Sequence, residues 1–164
     1  MAKKPIKRNK NIIPLSKDHH HGLLLCWKIR QGLKMNIELE RIRDYIHFFW
    51  ETHMIEHFRQ EEELLFSKID GPVCNQVKDE HEIIRLLVAG ISKQDKDNQN
   101  SYTQFANLLE QHIRYEERVL FPYLEANISA PELEAIGKEL EQNEPHNEVY
   151  EDEFWVEKIV AVTA

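Results

Sequence analysis

The 164-residue sequence predicts an all-α protein, an up-down-up-down four-helix bundle followed by a short C-terminal helix and tail. Three observations predict it. Apolar residues recur at threes and fours through four long segments. A Gly-Pro pair and polar stretches punctuate those segments. The first two segments also resemble the second two as a pair, and duplicated helical hairpins close most simply into a bundle. With 5 glycines, 6 prolines, 41% hydrophobic and 30% charged residues, the composition favours helices over disorder.

The spacing predicts a first helix from about Ser16, the cap after Pro14, to Lys34, with Leu15, Leu23, Cys26, Ile29 and Leu33 on one stripe. The second spans about Glu38 to Ile69 and stops at Gly71-Pro72; its stripe runs Ile42, Ile46, Phe49, His53, His57, Glu61, Leu64. The third starts at that proline and reaches about Lys93, carrying Val77, Ile84, Val88 and Ile91, and the polar stretch Gln94 to Asn100 reads as a loop. The fourth goes from about Ser101 to Ala126, with Phe105, Leu109, Val119 and Tyr123 in register, and Pro122 predicts a bend or a tightened last turn. Ser129 caps a fifth, shorter helix reaching about Gln142. Residues 1–14 are expected as a flexible basic arm, 15–128 as the bundle, and 129–164 as the helix and an acidic tail. The tail is expected to fold back over the domain; a homodimer or partner contact is the second reading.

A net charge of −8 excludes a broad nucleic-acid surface, since the only basic cluster is the arm Lys3, Lys4, Lys7, Arg8 and Lys10. No apolar run approaches the roughly 20 residues that cross a bilayer, and the first thirty residues lack a signal-peptide pattern, so no membrane is expected and the cytoplasm is. Cys26 and Cys74 lie far apart without CxxC spacing and read as ordinary thiols.

The string His-x-x-x-Glu-Glu occurs twice, at His57 to Glu62 and at His112 to Glu117, followed by Leu65-Phe66 and Leu120-Phe121. Residues four apart stack on one helix face, so each copy presents an imidazole beside a carboxylate. His19 and His81 fall on the inward stripes of the other two helices. Glu61 lies ten residues before Gly71 and His81 ten after it, which brings them to one height in antiparallel neighbours. His19, His57, Glu61, His81, His112 and Glu116 then converge in one layer. Six inward ligands with two carboxylates exceed what a closed structural zinc takes, and suit a pair of iron or manganese ions with open positions for dioxygen or peroxide. His20, on a competing stripe with Leu24 and Trp27, rivals His19. His53 reads as an extra ligand or as packing against Trp50. His47 and His146 fall outside the pattern, and Glu62 and Glu117 read as helix-surface acids, one of which a small rotation would bring to a metal.

Asp18-His19, His57-x-x-x-Glu61, Glu80-His81 and His112-x-x-x-Glu116, with Leu120-Phe121-Pro122 closing the second copy, resemble the hemerythrin-like family of HHE cation-binding domains over about residues 15 to 128. The resemblance implies a four-helix bundle holding two non-haem iron ions, with manganese or zinc as substitutes, on those six residues. Arg85 stands where the family's oxygen carriers have a further third-helix histidine, and Glu117 where they have an aspartate. Reversible oxygen transport is therefore not expected. The expected function is binding or sensing of a small diatomic ligand (dioxygen or nitric oxide), of peroxide, or of iron. The alternatives are a di-iron oxidoreductase, ferroxidase or peroxide-consuming, and a metal-free helical interaction module.

Overall fold

In the computed structural model, which describes residues 7–93, 98–142 and 149–157, four antiparallel helical rods surround one core. The first rod is α1 (Ile13–Lys34). The second, 39–65, is continuous but composite: α2 (Leu39–Phe49), a π turn (Trp50–Met54), α3 (Ile55–Gln60) and a second π turn (Glu61–Leu65). The third is α4 (Pro72–Ser92). The fourth comprises α5 (Gln99–Tyr115), a π turn (Glu116–Leu120) and α6 (Phe121–Asn127). The short helix α7 (Ala130–Glu141) follows.

The chain ends its helices by local chemistry. α1 starts at Ile13 rather than at Ser16, because Pro14 occupies the first turn, where its missing N–H costs nothing. It closes with Asn36 in the left-handed region (φ 54°), while Ile37 N–H donates to Gly32 O and Asn36 N–H to Leu33 O. Gly71 (φ 121°) makes the turn into Pro72, a conformation that favours glycine. α5 begins two residues earlier than expected because the Asn98 side chain accepts from Ser101 N–H at 2.9 Å. Ser129 caps α7 as expected, accepting from Glu132 N–H.

The π turns correct the expected stripes. An i→i+5 turn holds one extra residue, so every inward position after it moves on by one. Glu61 O accepts from Phe66 N–H at 3.0 Å, and Glu116 O accepts from Phe121 N–H. Leu65-Phe66 and Leu120-Phe121 therefore enter the core, while Leu64 is half-buried and Val119 is 39% exposed. The turn ahead of Pro122 is thus widened rather than tightened. At Trp50–Met54 the same device puts Met54 inward and leaves His53 half-buried.

Two apolar clusters fill the bundle. One contains Leu25, Ile29, Ile46, Phe49, Phe58 and Leu109 among others; the second contains Leu15, Leu65, Val77, Leu120 and Phe121, with Leu133, Ile136 and Leu140 of α7 packed into it. Along every rod the predicted site residues lie between the two. Cys26 and Cys74 are buried free thiols. One expectation about the ends changes, and the other is met over the described residues. Within the arm, Arg8 is packed in, with its side chain 8% exposed and bonded to Glu117 and Glu125. The described tail, 149–157, lies on the bundle: Phe154 is buried, and Asp152 accepts two bonds from Arg41 at 2.7 and 2.8 Å. His146, Glu148 and Ile159-Val160 lie outside the described residues.

The register shift is testable. Leu120→Ala should cost about 2–5 kcal/mol in urea unfolding. Val119→Ala should cost under about 0.5 kcal/mol, as a surface change does; equal losses would contradict the π turn.

Candidate metal centre

Each rod delivers its polar residues at the level between the two apolar clusters. His19, His57, Glu61, His81, His112 and Glu116 are all buried, and Glu61 and Glu116 are fully so. The six form two groups that share both carboxylates: His19, His57, Glu61 and Glu116, and Glu61, His81, His112 and Glu116. Within each group the ligand-type atoms lie within 4.8 Å of one another. Glu61 turns Oε1 toward His57 Nε2 (2.8 Å) and Oε2 toward His81 Nε2 (3.1 Å). Glu116 turns Oε2 toward His19 Nε2 (2.6 Å) and Oε1 toward His112 Nε2 (2.9 Å). Each carboxylate therefore spans both histidine pairs.

The histidines are oriented from behind. His19 Nδ1 lies 2.7 Å from Glu117, His57 Nδ1 3.1 Å from Asp18, His81 Nδ1 2.8 Å from Glu62, and His112 Nδ1 2.7 Å from Glu80. A carboxylate on Nδ1 fixes the Nδ1–H tautomer, so that Nε2 presents its lone pair to the centre. Glu62 and Glu117 are thus neither surface acids nor members of the inner groups. Their role was missed because each stands behind a histidine of a neighbouring rod, a contact that no local spacing shows. Two arginines hold these acids in turn: Arg8 bonds Glu117 at 2.9 Å and Arg85 bonds Glu62 at 2.8 Å. Rings pack the imidazoles, Phe58 stacking on His81 at 3.8 Å and Phe121 on His19 at 5.2 Å.

The rival histidines lie elsewhere. His20 is exposed, as are Leu24 and Trp27 of its stripe, and His47 is exposed as well. His53 stacks on Phe49 at 4.7 Å, with Nδ1 2.8 Å from Thr52 Oγ1, while Trp50 meets Phe58 instead.

The donor set is what a cation needs. The Nε2 atoms of His19, His57, His81 and His112 and both oxygens of Glu61 and of Glu116 are buried and lack a hydrogen-bond partner. Although several pairs are close, none meets hydrogen-bond geometry. Burying such groups uncompensated costs several kcal/mol each, whereas a cation between them satisfies all eight atoms. The hemerythrin HHE cation-binding domain profile matches residues 12–124. The chain belongs to that family. Comparison with curated proteins and with solved structures finds no match. The HHE domain here thus brings a buried His/Glu cluster suited to metal ions. Its Arg8 reaches the centre from outside the matched segment. A cavity of about 310 Å³ runs to the cluster from one side, touching His19, His57 and His112.

With no cation bound, protons must supply the positive charge. Burial disfavours the charged imidazoles, but the facing carboxylates outweigh it: His57 and His112 are raised to about 9, His81 to about 10, and His19 well above its ordinary value. Burial likewise opposes ionisation of Glu61 and Glu116, yet the adjacent histidines hold both below the usual carboxylate range. A raised imidazole pKa adds stability that is complete below about pH 6.5 and lost as pH rises through the folded value. The chelator-treated protein should therefore lose melting temperature from about pH 7 to pH 10, while protein with added divalent metal should hold its own over that window. Parallel melting curves for the two forms would contradict the assignment.

Proposed function

We propose that this HHE domain is a non-haem di-iron protein that uses the His/Glu centre to bind or sense a small ligand, such as dioxygen, nitric oxide or peroxide, or to sense iron itself. The observation that carries the reading is the sharing of Glu61 and Glu116 between two histidine pairs, with eight buried donor atoms lacking partners. His19 and His57 would hold one ion and His81 and His112 the other, with Glu61 and Glu116 offering carboxylate oxygens to both. Each ion would then have two nitrogen and two oxygen donors from the chain, fewer than the six that iron commonly takes, and the donor types suit iron or manganese better than a closed zinc site. When bound, the ions would supply open coordination positions and exchangeable electrons.

The chain's own residues do the rest. Asp18, Glu62, Glu80 and Glu117 keep a proton on each Nδ1, so the Nε2 lone pairs point inward. Arg8 and Arg85 keep two of those carboxylates in place. Phe58 and Phe121 pack against the imidazoles and exclude water from the His81 and His19 faces. Arg85, which occupies the place of a further imidazole in the family's oxygen carriers, points its guanidinium at Glu62 and has no lone pair to offer a metal. That substitution favours a binding or sensing role over reversible oxygen transport. A metal-free interaction module fits the unpartnered donors poorly.

Iron-loaded protein should contain close to two ions per chain and develop a visible charge-transfer band on exposure to air. His112→Ala should lower both metal content and melting temperature, because a ligand that binds only the folded state stabilises it; an unchanged metal ratio would remove His112 from the centre. Glu80→Gln, which leaves the inner six residues intact, should weaken metal binding by about 10–100-fold in chelator competition.

A further inference from the structure

The cavity that reaches His19, His57 and His112 is far larger than a diatomic ligand needs. Its volume is about 310 Å³, whereas a water molecule occupies about 30 Å³ of liquid and an apolar cavity of about 150 Å³ accommodates benzene. Its wall is built from buried side chains of three rods: Phe49, Met54 and Phe58 from the second, Leu109 and Ile113 from the fourth, with Gly22 of α1 between them. Of the charged lining residues, Lys17, Asp18 and Glu141 are exposed and Glu56 is half-buried, while buried Gln60 and the imidazoles of His19, His57 and His112 give the otherwise apolar interior a polar end. Gly22 lets Ile113 pack against α1 at the cavity wall. A Cβ there would lie 2.7 Å from Ile113 Cδ1, closer than two carbons approach.

We propose that this cavity binds a neutral, mainly apolar organic molecule of about one aromatic ring, six to ten non-hydrogen atoms, beside His19, His57 and His112 of the centre. The apolar side chains of the wall offer shape and dispersion to an uncharged ring. The buried imidazoles form the inner end, so the occupant lies against the groups that would hold a metal. The cavity belongs to the apolar packing of the fold and needs no ion. The proposal therefore stands or falls separately from the di-iron reading.

Benzene is the probe, titrated into the full chain, both chelator-treated and metal-loaded, with methyl NMR signals of Met54, Leu109 and Ile113 as the readout. Saturable shifts with a Kd on the order of 1 mM are expected in both forms. Gly22→Ala adds a methyl to the wall and displaces Ile113 Cδ1, and should weaken benzene by about fivefold or more. Leu109→Ala, which enlarges the space, should admit naphthalene. Absence of saturable shifts up to the solubility of benzene overturns the proposal, as does an affinity that neither variant changes. If Gly22→Ala does not fold, Met54→Trp replaces it as the filling variant, with the same expected loss. Benzene binding without iron uptake would leave the cavity assigned and the di-iron reading refuted, and iron uptake without benzene binding the reverse.

Discussion

Two carboxylates, Glu61 and Glu116, sit fully buried at the middle of an apolar bundle, and much of the surrounding architecture answers to them. A buried anion costs several kcal/mol unless it is compensated, so neither side chain is tolerable alone. Compensation comes in layers. Four imidazoles face the two carboxylates, four further acids sit behind the imidazoles, and arginines hold two of those acids. Charge alternates outward from the centre until it reaches water. The two apolar clusters above and below bury this layer, which strengthens the interactions inside it and makes mismatched donors costly.

The local backbone is bent to the same purpose. Glu61 and Glu116 each open a π turn, and the carbonyl of each accepts the wide hydrogen bond that defines it. Such turns insert a residue into an otherwise regular helix and are frequent at functional sites. His57 and Glu61, four apart, face inward on ordinary helical geometry, and the insertion that begins at Glu61 lets Leu65 and Phe66 regain the core on the far side. Glu62 and Glu117, the next residues along, lie at the backs of His81 and His19. Stability, register and site geometry are therefore coupled at those two turns.

The bundle was largely legible in the sequence because punctuation and periodicity are local signals. Gly71-Pro72, Ser129 and the stripes of α1 and α4 act where they are read. The six central residues were legible as a cluster because duplication and height along the axis restrict which histidines can meet. What stayed hidden depended on contacts between rods. No period announces an i→i+5 turn, so Val119 and His53 were placed on inward stripes from which the extra residues remove them. Arg8 looked like one cation of a solvated arm, since nothing near it in the chain indicates that Glu117 and Glu125 stand more than a hundred residues away. The outer acids were visible as letters, in Asp18-His19 and Glu80-His81, but each serves a histidine on a neighbouring rod.

The repeat is also unequal where it matters. Phe58 follows His57 in the first copy, and Ile113 follows His112 in the second. The phenyl ring lies flat on His81, whereas the smaller branched chain sits against Gly22 beside the open cavity. A duplicated sequence thus yields a centre with a front and a back. The corridor from the surface touches His19, His57 and His112, while His81 is walled by Phe58. Four imidazoles matched by repeated strings are consequently told apart by access: whatever arrives from outside meets three of them, and the fourth stands behind.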